Sequence, residues 1–119
     1  MRKGRKISGG RYKPQRKKKL YEMPGLNRVV HLGEDKRKTK RVLGGKTKTF
    51  FFKSKSINVI QKGKMKKLEI KNVLETPSNK FLARQNIITK GTIVETELGR
   101  VKVTNRPGQE GMLNGVLVA

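Results

Sequence analysis

The chain has no cysteine and no tryptophan, a single histidine, and only 8 acidic residues among 119. Without cysteine there is neither a disulfide framework nor a thiolate metal site, and His31 alone cannot complete a zinc site. A catalytic centre is equally hard to assemble. His31 follows Val29 and Val30, with no second His and no Cys to partner it, and the acids do not cluster into a positioned general acid and base. Glu95 and Glu97, two apart and so on one strand face, are better read as partners of neighbouring lysines. The expectation is a protein that is not an enzyme: no catalytic residues, no metal, no cofactor and no small-molecule substrate.

Long apolar runs are missing too. The longest are pieces such as Phe50-Phe51-Phe52 and Val116-Leu117-Val118-Ala119, far short of the roughly 20 residues that cross a bilayer. The basic N-terminus leads into Gly9-Gly10, Tyr12, Pro14 and further lysines instead of the apolar centre of a secretory signal, which points to the cytoplasm. Binding to a membrane surface would call for a helix with a wide apolar face, and only short strands are legible.

What the sequence has in excess is positive charge. Its 31 Lys and Arg residues leave a formal charge of +23, which repels itself in a compact free protein and is relieved by a polyanion. Nucleic acid, an anionic membrane surface and an acidic polysaccharide all qualify; for so short a chain nucleic acid fits best.

The charge and the apolar residues are segregated. Of 35 Ile, Val, Leu, Met and Phe residues, 27 follow position 40, so the core must be built from the C-terminal two-thirds. Residues 1–19 carry Arg2, Lys3, Arg5, Lys6, Arg11, Lys13, Arg16, Lys17, Lys18 and Lys19 and no acid, and Gly4, Gly9, Gly10 and Pro14 break any helical periodicity. Such a segment reads as a disordered arm that orders on its partner. A second cluster, Lys36, Arg37, Lys38, Lys40 and Arg41, lies between Glu34-Asp35 and Gly44-Gly45 and reads as an exposed loop. The predicted organisation is an arm over residues 1–24 and one β-barrel-like domain over 25–119.

Past Arg41, short apolar and β-branched runs separated by Gly, Asn, Pro and Lys predict a mainly β domain. Strands are expected over Arg28–Leu32, Lys46–Phe52, Ile57–Gln61, Lys66–Leu74, Gly91–Glu97, Arg100–Thr104 and Met112–Val118. Leu68, Ile70 and Leu74 alternate with Lys67, Glu69 and Lys71, as Val101 and Val103 do with Arg100, Lys102 and Thr104, which predicts strands with one buried face. Leu98-Gly99 is placed to turn a hairpin, and the run from Arg106 to Gly111 has Pro-Gly loop chemistry. One short helix is expected, capped by Thr76 with Pro77 at its first position and running towards Arg84, flanking or plugging the barrel.

Candidate contacts with RNA follow from chemistry. The arm's cations neutralise phosphates and release counterions; the ordinary alternative is a solubilising tail, which ten cations in nineteen residues exceed. Tyr12 and Tyr21 flank the densest basic run; a ring there can stack on an unpaired base, or pack on the domain where the arm leaves it. Three successive phenylalanines in a strand alternate sides, so at least one of Phe50, Phe51 and Phe52 belongs to the core. Gly44-Gly45-Lys46-Thr47 is no phosphate-binding P-loop, since position 40 is lysine and a strand follows; a hairpin turn with Lys46 touching a phosphate remains. Asn105 and Arg106 are placed on a loop whose glycines allow a phosphate to approach. Because A-form RNA hides its major groove, these groups are expected to meet phosphates, 2′-hydroxyls and irregular junctions.

Two separated blocks resemble a known family. Arg5-Lys6-Ile7-Ser8-Gly9-Gly10, Arg16-Lys17-Lys18-Lys19 and Tyr21-Glu22-Met23 resemble the opening motif of the "eight-e" family of small-subunit ribosomal proteins. Asn72-Val73-Leu74-Glu75-Thr76-Pro77, the stretch from Ala83 to Gly91, Glu95-Thr96-Glu97 and the stretch from Val103 to Gln109 resemble it further, in the family's order and across nearly the whole chain. The resemblance implies a mostly β domain whose N-terminal arm threads into ribosomal RNA on the body of the small subunit, with neighbouring ribosomal proteins as further partners and no catalysis. The short length is similar to that of archaeal members. Leu20 stands where a basic residue is usual, and Met23-Pro24-Gly25 replaces a Leu-Gly, so the path where the arm joins the domain departs from the pattern. The function implied is structural, in the small subunit; the rival is a free RNA-binding assembly factor or RNA chaperone.

Overall fold

A computed structural model describes residues 4–13, 15–61 and 63–118; Arg2 and Lys3, both expected RNA contacts, lie outside them. From the N-terminus, a short 3-10 turn at Leu20–Glu22 precedes β1 (His31–Leu32), β2 (Lys36–Arg41), a second 3-10 turn at Leu43–Gly45, and β3 (Thr47–Ser54). There follow β4 (Ser56–Gln61), β5 (Lys64–Glu75), α1 (Lys80–Arg84), β6 (Ile93–Thr96), β7 (Gly99–Val103) and β8 (Asn114–Leu117). Strands β4 to β8 close into a barrel in sequence order, and β1, β3 and β2 form a separate three-stranded sheet with β3 in the middle. The mainly β, barrel-containing fold agrees with the sequence; the additional sheet was not legible there.

Closure is made by β4 and β8, which run parallel with Val59 opposite Gly115. The barrel interior takes Ile57 and Val59 from β4, Ile70 and Val73 from β5, Val94 from β6, and Val101 and Val103 from β7, all buried, with Leu113 just before β8. Alternation is clean in β7, where Val101 and Val103 point inward while Arg100 and Lys102 stay exposed. In β5 it breaks. The register shifts between Ile70 and Asn72, so the next inward side chain is Val73 and not Leu74, which is 41% exposed. A bulge inserts one residue and so reverses the side on which the following side chains fall.

Other boundaries also move. Only His31–Leu32 of the expected first strand is a strand; around it the chain meets the segment 86–88 in one isolated bridge, with Ile88 N–H donating to Val30 O at 2.8 Å and Leu32 N–H to Asn86 O at 2.9 Å. The cluster Lys36–Arg41, expected to be a loop, is the edge strand β2, exposed along its whole length. Its pairing to β3 compensates for the repulsion of its side chains, which all remain in water. The helix starts later than expected. Asn79, not Thr76, is its N-cap, its side-chain oxygen accepting from Phe81 N–H at 3.0 Å. Thr76 is instead drawn fully into the interior, and meets the helix end only through its carbonyl, which accepts from Asn79 N–H at 3.1 Å.

Phe50 and Phe51 are both buried although adjacent, because β3 is covered on its two faces. Phe51 joins the core, while Phe50 meets Phe52 edge-on at 5.4 Å and is covered by Arg28. The radius of gyration is 21.2 Å, against about 14 Å for a compact chain of this length. The N-terminal segment therefore extends away from the barrel and sheet.

Candidate nucleic-acid interface

The arm presents its cations without burying anything. Every described residue from Gly4 to Val29 is exposed. A small loop interrupts its extended course: Arg5 and Arg11 pair as an antiparallel bridge, and Lys6 N–H donates to Gly10 O at 2.9 Å. Lys6 lies over the Tyr12 ring at 5.7 Å and Lys19 over Tyr21 at 5.8 Å, contacts that orient the tyrosines beside positive charge. Both rings stay open to solvent, so Tyr21 does not pack on the domain.

Glu22 organises the end of the arm. Its carboxylate accepts from Arg16 at 2.7 Å and from Lys19 N–H at 3.0 Å, and these two bonds, the Arg16 one first, hold it below the ordinary glutamate range. Lys13, Lys17 and Lys18 remain exposed around this turn.

The second set forms a ladder. Strand β2 pairs antiparallel to β3 with Arg37 opposite Phe51, Lys38 opposite Phe50, Lys40 opposite Lys48 and Arg41 opposite Thr47. Opposed residues share a face, so Lys38 and Lys40 join Lys48 on one side of the sheet while Arg37 and Arg41 lie on the other. Arg37 sits 4.7 Å from the Phe51 ring, which fixes one of these cations over the core. Lys36 begins the strand and Lys46 follows the 3-10 turn, closed by Val42 N–H donating to Lys46 O at 2.8 Å. A run of Lys and Arg also blocks the open edge against pairing with another chain.

Asp35 secures the corner between sheet and barrel. Its Oδ1 accepts from Lys55 N–H at 2.8 Å and from Ser54 Oγ at 3.2 Å, and its Oδ2 from Ser56 Oγ at 3.2 Å. Burial pushes its carboxyl up, but the Lys55 amide, the two hydroxyls and the Arg37 guanidinium together outweigh this and bring it below the usual value. The corner residues Ser54, Lys55 and Ser56 thus turn from β3 into β4 around one carboxylate.

Asn105 and Arg106 occupy the β7–β8 loop in different ways. The Asn105 amide donates to Glu110 Oε2 and Met112 O at 2.9 and 2.6 Å, and its carbonyl accepts from Asn114 N–H at 2.9 Å. It is the staple of the loop. Arg106 is exposed beside Lys90, Pro107 and Gly108 in one recess. Neither Glu95 nor Glu97 pairs with a lysine: among the described residues there are three ion pairs, Arg16–Glu22, Arg37–Asp35 and Lys55–Glu69. Most of the positive charge is therefore not neutralised within the chain.

Sequence reasoning missed Arg28, Lys48 and Lys90. Arg28 is brought over Phe50, its guanidinium carbon 3.9 Å from the ring centre, and no local pattern around it announces that contact.

Fold and surface define a small, strongly basic β-barrel protein that carries an edge strand basic at five of its six positions and an extended basic arm. The profile of the family described as ribosomal protein S8e matches residues 1–118, and the chain belongs to that family. It is 40% identical over 117 residues to the small ribosomal subunit protein eS8 of Methanoregula boonei, covering 97% of this chain and 94% of that protein. Against the proteins of the same name from Nanoarchaeum equitans and Methanocella arvoryzae, identity is 46% over 116 residues and 42% over 117; 96% and 97% of this chain, and 91% and 94% of theirs, are covered.

Proposed function

We propose that the protein is a structural constituent of the small ribosomal subunit in the cytoplasm, where it binds and stabilises folded small-subunit ribosomal RNA and supports translation. The observation that carries this reading is the pairing of two basic surfaces, the described residues of the arm up to position 24 and strand β2, each with a single cation in an ion pair among the described residues, with a barrel that leaves them exposed. Lys and Arg on an extended chain neutralise phosphates along an irregular path, whereas those on β2 are held at fixed strand spacing against a rigid sheet. The first supplies affinity and the second adds shape, since the barrel limits which RNA surface can meet the ladder.

In this reading the arm's Arg and Lys residues from position 2 to 19, the β2 cations, Lys46 and Arg106 contact phosphates, Tyr12 stacks, and Asn105 acts by shaping the loop that presents Arg106. Neighbouring small-subunit proteins are further partners, and the protein catalyses nothing. The relatives' shared name, small ribosomal subunit protein eS8, supports residence in the particle over the rival reading of a free RNA-binding assembly factor or RNA chaperone.

Co-sedimentation of native extract through a density gradient at moderate salt tests this. Near one copy per small subunit, retained on a second spin, is expected. Protein that is substoichiometric or confined to light fractions would favour the rival.

A further inference from the structure

Arg28 is exposed, yet it is held in place. Its guanidinium carbon lies 3.9 Å over the buried Phe50 ring, and Nη1 reaches Gly108 O at 3.5 Å. The β7–β8 loop lies close against the Arg28 backbone: a Cβ at Gly108 would come to 3.1 Å from Arg28 O, tighter than an ordinary van der Waals contact. Arg28 and Gln109 form the wall between two recesses. One contains Lys90 and Arg106, the other Lys40 and Lys48.

We propose that the outer face of the Arg28 guanidinium is a stacking site for one unpaired base of an RNA strand, which crosses the wall with phosphates at Lys40 and Lys48 on one side and at Lys90 and Arg106 on the other. The inference rests on the ribosomal-RNA reading above and names within it a site, a nucleotide conformation and a residue. Three features carry it. A guanidinium already in face contact with an aromatic ring keeps its other face for a second π system, and Phe50 fixes it before the base arrives, so little side-chain freedom is lost on binding. Cations on both sides suit a backbone that enters and leaves, not an isolated anion. The single acid of the second recess, Glu110, accepts from Asn105 at 2.9 Å and, with Gln109, offers hydrogen-bonding groups to a base edge, while Lys40 and Lys48 of the same recess take the phosphate. Unpaired bases splayed onto Arg or aromatic faces are the usual way a protein reads single-stranded RNA.

The test uses the full chain, an oligo(A) decamer, an RNA hairpin of equal length and small-subunit ribosomal RNA. Arg28→Lys keeps the charge and removes the planar group. It is expected to weaken oligo(A) binding at least about fivefold, the lower range of one lost stacking contact, with an unchanged salt slope and unchanged affinity for the hairpin stem. In the unsubstituted protein, the Arg28 Nε–H resonance is expected to shift as oligo(A) is added, a readout that holds even if Arg28→Lys disturbs folding. Equal affinity of Arg28→Lys for oligo(A), or a stationary Arg28 resonance, while ribosomal RNA is still bound would overturn the stacking site and leave the general reading intact. Failure of the unsubstituted protein to bind ribosomal RNA would overturn both. A glutamate decamer that moves the Arg28 resonance where oligo(A) does not would assign the site to an acidic protein segment and overturn it too.

Discussion

Asp35 Oδ1 accepts the Lys55 backbone N–H at 2.8 Å, joining the start of the basic edge strand to the corner where the sheet becomes the barrel. Removing the carboxylate leaves that amide and the Ser56 hydroxyl without their acceptor, while the Ser54 hydroxyl keeps Ser56 O at 3.1 Å. Asp35→Ala is expected to lower stability by about 1–2 kcal/mol, read as a lower urea midpoint, with RNA affinity falling through β2 because the ladder is no longer fixed to the barrel. The pH dependence has a definite sign. The folded carboxyl lies below the ordinary value of 3.8, so its contribution is complete above that value and is lost as pH falls below it through the folded pKa. The difference between parent and Asp35→Asn should therefore shrink on titration from pH 7 to strongly acid solution; a constant difference would contradict the role.

The Thr76 hydroxyl is fully buried and finds no hydrogen-bond partner among the described residues. An unmatched buried hydroxyl opposes folding, whereas a methyl of the same shape does not. Thr76→Val should raise stability by about 1 kcal/mol, while Asn79→Ala, which removes the true helix cap, should lower it by a similar amount. Equilibrium denaturation of both variants checks the pair, and a destabilised Thr76→Val would show that the hydroxyl has a partner.

Gly115 sits where the barrel closes. A Cβ there would run into Val101 Cγ1, lie 2.8 Å from Ile57 Cδ1 and 3.0 Å from Lys102 O. Gly115→Ala is expected to cost about 1–3 kcal/mol through overpacking, and Gly115→Val more, read as successive falls in thermal midpoint. Gly91, where a Cβ meets nothing within 4 Å, has φ +87 and tests a different effect: Gly91→Ala places an L side chain in the left-handed region without a clash, and backbone strain alone should cost about 1–2 kcal/mol.

Deleting residues 1–19 should weaken binding to small-subunit RNA and flatten the dependence of log K on log salt, since each lost phosphate contact removes roughly 0.7–0.9 from the slope. The described residues of that segment are all exposed, so the thermal midpoint of the barrel should not move. Affinity unchanged at every salt concentration would remove the arm from the interface.

Much of this molecule is written in its sequence. Composition separates the arm from the core; period two marks β7; and the Leu98-Gly99 hairpin follows from turn chemistry. Those features depend on residues within a few positions of one another. The errors have the opposite origin. Lys36–Arg41 looks like a loop because six polar residues show no alternation, and only the Phe-rich strand across the hairpin makes them a strand. Leu74 looks buried because the bulge near Asn72 leaves no mark on the apolar pattern.

The sequence by itself determined a basic N-terminal stretch, a small β core and a large excess of positive charge, because these depend on the residue types and their order along the chain. Only the tertiary structure decided that Arg28 covers Phe50, that Asp35 holds the Ser54–Ser56 corner and that Val73 replaces Leu74 inside. Each depends on strand register and on segments meeting across the fold, and a one-residue shift in register exchanges the faces on which side chains lie.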